Sequence, residues 1–105
     1  GTKEWNTAIK FFLTHFDYDL IPFMIASFFA ERIGVDEAIK CLEERLDYLK
    51  KNSKGLTRQI EELEVEKDIP YYVIGNVQHN ALIVETEITV TQQMIAKYKS
   101  RLFDQ

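Results

Sequence analysis

One cysteine, Cys41, stands alone among 105 residues, which excludes an internal disulfide and any zinc site built from several thiolates. The thiol is expected to be buried and inert, and a reducing cytoplasm is the expected compartment. With only four glycines there is no phosphate-cradling loop, and no serine, cysteine or lysine sits in a nucleophile motif, so neither catalysis nor a cofactor is expected. Long hydrophobic runs are missing too. The longest, around Leu20 to Ala30, is interrupted by Pro22 and Ser27 and is too short to cross a bilayer, and no basic-then-apolar leader opens the chain. The opening Gly1 reads as a tag scar, with a natural N-terminus further upstream. Positive charge is not in excess: 13 Lys and Arg against 17 Asp and Glu give a formal charge of -4. Nucleic-acid affinity comes from a basic face that neutralises phosphates, so this segment alone is not expected to bind DNA.

What is present is an ordinary globular composition, 46% hydrophobic and 29% charged, enough to fold as one domain and too short for two real cores. Trp5, Ala8, Ile9, Phe12, Leu13 and Phe16 recur at steps of three and four, which predicts a first amphipathic helix over Lys3 to Phe16. Asp19 can accept a hydrogen bond from the free amides of a second helix, and Pro22 is tolerated in its first turn. That helix, Leu20 to Ile33, is apolar nearly all the way round and needs cover on more than one side. Gly34 supplies a left-handed stop, and Asp36 with Glu37 favour the start of the next helix.

From there Ile39, Leu46, Ser53 and Ile60 alternate with Leu42, Leu49, Leu56 and Leu63 as the a and d positions of four heptads. The weak spot is Asn52 to Gly55, where an exposed glycine costs about 1 kcal/mol relative to alanine and a hairpin turn is the alternative. Because the heptad phase survives across Gly55, one continuous helix from about Asp36 to Glu66 is predicted. Asp68 and Pro70 mark another helix start. Val77, Ala81, Val84, Ile88, Thr91, Ile95, Tyr98 and Leu102 then form a second long seam, antiparallel to the first. The β-branched stretch Ile83 to Thr91 would also suit a strand, but a lone strand has no partner here and the helical spacing runs straight through it.

The predicted fold is therefore all-α. Two short apolar helices (1–34) are followed by a long antiparallel hairpin (35–67 and 69–103), coiled-coil-like and dimeric. Two rods of this length protrude from any small globule and leave apolar seams uncovered, and a two-fold homodimer is the simplest closed solution. The expected interface comprises Leu20, Phe23 and Phe28 from the apolar helix. It adds Leu42, Leu46, Leu49, Leu56, Ile60 and Leu63 from the first rod and Val84, Ile88 and Ile95 from the second.

The run Glu37-Ala38-Ile39-Lys40-Cys41-Leu42-Glu43-Glu44-Arg45-Leu46 is similar to the EA-x-x-x-L-E-E-R-L signature of the C-terminal dimerisation domains of PadR-family transcriptional regulators. Asp68-Ile69-Pro70-Tyr71-Tyr72-Val73, then His79 and Glu85 or Glu87, resembles the family's second long helix. Where that helix often has a tryptophan after its glutamate, this chain has Ile88-Thr89-Val90. The resemblance spans roughly Trp5 to Leu102. It implies an upstream winged helix-turn-helix through which DNA is contacted, with this segment holding two copies at operator spacing. A stand-alone helical protein–protein adaptor is the alternative, and a ligand-binding enzyme on a helical bundle the third reading.

Family members sense phenolic or drug-like molecules, which makes a small aromatic effector a candidate partner here, with Phe12, Phe16, Tyr72 and His79 as candidate ligand-binding residues. Aromatic residues at helical spacing more often fill a core. No metal is expected, because neither His15 nor His79 has a carboxylate or second His at the spacing that places two ligands on one helix face. The cluster Glu61, Glu62, Glu64 and Glu66 reads as a solvated face.

Overall fold

A computed structural model describes residues 1–17 and 19–103, with side chains as far as Arg101. Leu102, the last member of the predicted second seam, lies outside the described side chains. Among the described residues there are four α-helices, α1 (Thr2–Thr14), α2 (Ile21–Phe28), α3 (Val35–Glu64) and α4 (Tyr71–Phe103), with a 3-10 turn at Ala30–Ile33. No strand occurs among the described residues, and Ile83 to Thr91 is helical throughout.

The two long helices pack side by side along most of their length. Their pairing is antiparallel, because Glu43 meets Lys99 whereas Arg45, further along α3, meets Glu87, which lies earlier in α4. The helix α3 passes through Asn52–Gly55 without a break, as the uninterrupted heptad phase predicts. At the base of the hairpin α3 buries a broad face of Ala38, Ile39, Cys41, Leu42, Arg45 and Leu49, because α1 packs on it as well as α4. Towards the tip only α4 is available, and Ser53, Leu56, Ile60 and Leu63 are half-buried.

Ile9 and Leu13 of α1 join Ala38, Ile39, Cys41 and Leu42 of α3, Ile95 of α4, and Phe23, Ala26 and Ala30 in one core. The lone thiol thus sits inside that core. Asp19 accepts a hydrogen bond from the Ile21 amide at 3.2 Å, which satisfies one free donor at the start of α2.

Helix α3 ends at Glu64, short of the expected Glu66, and three other boundaries differ as well. Helix α1 ends at Thr14, with His15 in an extended conformation, so Phe16 is not on its face. Helix α2 stops at Phe28 rather than Ile33. The Ser27 hydroxyl donates to the Phe23 carbonyl at 2.8 Å, a back-bond that bends helices, and the Phe29 amide turns to the Ala26 carbonyl three residues back. Helix α4 begins at Tyr71, which places Pro70 just before the first turn; the Val73 amide donates to the Pro70 carbonyl at 3.1 Å.

Gly34 has φ +95°, a torsion that L residues rarely adopt, and it serves at once as the end of the 3-10 turn and the cap of α3. The molecule measures 57 × 31 × 16 Å, with a radius of gyration of 16.7 Å, where a compact chain of this length has about 13 Å.

Opposite outcomes are expected at two glycines. Gly55 is exposed and helical, with nothing within 4 Å of a Cβ placed there, so Gly55→Ala raises stability by about 1 kcal/mol. Gly34→Ala, at a positive φ with equally open space, lowers it by about 1 kcal/mol or more. Midpoints of urea unfolding read both signs.

Candidate functional site

The residue on which the helices converge is Arg45, on the inner face of α3, with no exposed surface. A guanidinium has no neutral form to retreat to and must find partners where it is buried. Its Nη1 donates to the His15 carbonyl just past α1 at 2.6 Å, and its Nη2 to Glu87 Oε2 on α4 at 3.3 Å. Its flat face lies 3.6 Å from the centre of the Phe23 ring on α2, with the Phe16 ring 5.5 Å away. Burial draws the Arg45 pKa below its ordinary value, opposed by the hydrogen bond and the negative charge of Glu87. Two buried polar atoms, Arg45 Nε and Thr91 Oγ1, have no hydrogen-bond partner among the described residues.

Sequence reasoning missed this cluster, since Arg45 passes for an ordinary charged position beside a heptad seam. A signal was available: Ala38, Leu42, Arg45 and Leu49 also step by four, three and four, a stripe as regular as the leucine seam.

The expected interface residues divide into two groups. Phe23, Leu42, Leu49, Val84 and Ile95 are already buried in the chain's own core, while Leu20, Leu46, Leu56, Ile60, Leu63 and Ile88 are half-buried. Phe28 alone stands clear, 87% exposed. Ile21, Met24, Ile25 and Phe29 are exposed as well, and with Phe28 they line a groove of about 360 Å³. Helix α2 packs on α1 and on the 3-10 turn, and its backbone does not approach α3 or α4. A second groove, about 590 Å³, lies between Ser27, Phe28 and Glu31 on one side and Val90, Met94 and Tyr98 of α4 on the other. An ion pair between Arg101 and Glu31 stands at its edge.

The four candidate ligand residues are not brought into one pocket. Phe12 packs edge-to-face on Phe11 in α1, Phe16 lies by Arg45, and Tyr72 is exposed in the first turn of α4 at the hairpin tip. His79 lines a shallow depression of about 410 Å³ with Leu20, Leu82, Ile83, Thr86 and Glu87. Among the described residues no group of His, Cys, Asp and Glu could hold a metal ion, and no helix is long and apolar enough to cross a membrane. Comparison with protein-family models, with curated proteins and with solved structures finds no match for this chain.

The buried pair predicts a distinctive mutational pattern. Arg45→Met alone, which strands Glu87 and the His15 carbonyl, costs about 3–5 kcal/mol, whereas Arg45→Met with Glu87→Leu recovers most of that loss. Thr91→Val, which removes an unpartnered buried hydroxyl and keeps its shape, raises stability by about 1 kcal/mol. Chemical denaturation of the four proteins tests both statements; equal losses for the single and double Arg45 variants would contradict the first.

Proposed function

We propose that this chain is a homodimerisation domain, and that it serves a PadR-type transcriptional regulator whose winged-helix DNA-binding domain lies outside these residues. The observation that carries self-association is surface area. The chain exposes 7444 Å², where a compact monomer of its mass exposes about 6100 Å². The surplus, about 1300 Å² by that scaling, exceeds the roughly 800 Å² that each partner contributes to a standard interface. Part of it is the elongated hairpin, whose coiled-coil-like seam is only half-covered towards the tip, and part is the apolar helix α2.

The regulator assignment draws support from the sequence resemblance and from where its members lie. Arg45 of the Glu37 to Leu46 run and Glu87 of the second long helix, both within the similar segments, are partners in the core. An effector-binding role, for a small aromatic molecule, fits the depression beside His79 and Glu87 better than any grouping of Phe12, Phe16 and Tyr72.

Sedimentation of the purified chain at micromolar concentration is expected to give the mass of a dimer, and a monomer there overturns the reading. For the regulator assignment, the reading frame upstream of Thr2 is expected to encode a winged helix-turn-helix; a frame that opens at this segment refutes it while leaving dimerisation intact. With its charge of -4, the isolated chain is expected not to retard duplex DNA in a gel.

A further inference from the structure

The geometry points to the outward face of α2, rather than the leucine seams, as the two-fold contact between two copies of this chain, with Phe28 of each copy seated in the groove of the other; this rests on the dimer reading above. At the base of the hairpin the seams are spent inside the molecule, where Leu42, Leu49, Val84 and Ile95 are buried, and towards the tip Leu56, Ile60 and Leu63 are already half-covered by α4. Helix α2 differs. Ile21, Met24, Ile25 and Phe28 are 63%, 65%, 53% and 87% exposed, on the order of 500 Å² of apolar surface, towards the upper end of the largest patch that an isolated soluble chain leaves in water and a size that is often functional. That area is most of the roughly 800 Å² that one partner supplies to a stable interface.

Two properties of the face select a second copy of this chain as its occupant. A two-fold contact requires one patch to be complementary to itself, so it must carry a projection and a matching recess together. Phe28 is the projection and is also one wall of the groove of about 360 Å³ that Ile21, Met24, Ile25 and Phe29 complete, so the Phe28 of a second copy enters that groove against the first copy's own ring. The second property is charge. The chain is net acidic, yet Ile21–Phe28 contains no ionisable residue, so two copies meet there without bringing like charges together. An exposed aromatic that fills an apolar pocket at the centre of a contact is the usual form of an energetic hot spot.

Sedimentation velocity of the full chain across a dilution series, compared with Phe28→Asp, tests the assignment. The wild type is expected to be dimeric, and Phe28→Asp to weaken the dimer at least about 30-fold, with the helical circular dichroism spectrum kept because Phe28 is 87% exposed and its ring meets the adjacent Phe29 edge-to-face rather than the core. A variant that stays fully dimeric overturns this inference and leaves the homodimer reading standing, whereas a monomeric wild type overturns that reading itself. Should the variant lose helix, Met24→Cys decides: a short bis-maleimide is expected to join two copies at this position but not at Thr57→Cys on the exposed side of α3. Equal cross-linking at both positions, or none at Met24→Cys, overturns the inference.

Discussion

A guanidinium enclosed in a protein interior has to be answered, and the arrangement of this molecule follows from how Arg45 is answered. One side chain on α3 reaches the backbone just after α1, a carboxylate on α4 and an aromatic face on α2. Helix α2 packs on α1 and makes no backbone approach to the hairpin, so its link to the long helices runs through side chains, the Phe23 ring over Arg45 and the buried Ala26. A buried ion pair of this kind gains little net stability, because desolvation of both charges offsets most of their attraction. Its effect is to make one packing of the helices much better than the alternatives, since any other leaves a charge stranded.

This mooring holds α2 by one side only. Phe23 and Ala26 turn inward, and Ile21, Met24, Ile25 and Phe28 of an almost wholly apolar helix face out. The slab is 16 Å in its shortest dimension, little more than one helix diameter, and cannot wrap around its own apolar segments. The elongated shape and the greasy outward face thus have the same origin: a chain with long rods and few residues left to cover them.

Much of this architecture was legible in the residues. The 3-4 spacing from Ile39 to Leu63 is insensitive to the local weakness at Asn52–Gly55, because a continuous seam against α4 outweighs the cost of one glycine. Spacing likewise overrode the strand preference of Ile83 to Thr91. Boundaries were less legible where a side chain competes for backbone groups, as Ser27 does when its hydroxyl takes the Phe23 carbonyl. Arg45 was passed over because charge normally signals solvent, and the partners that make its burial tolerable lie 30 and 42 residues away in sequence. Grouping of the aromatic residues was not legible at all: Phe12, Phe16 and Tyr72 lie on different elements, and spacing within a helix says nothing about distance between helices.

Gly34 gives the molecule a stiff root and a permissive tip. Because this one residue is the entire join between the 3-10 turn and α3, a residue added in the first turn of α3 would swing the first two helices about 100° around the long rod and carry Phe23 away from Arg45. The connection at 65–70 anchors no such cluster. Length changes in this chain should therefore be tolerated at the far end of the hairpin and forbidden at its base.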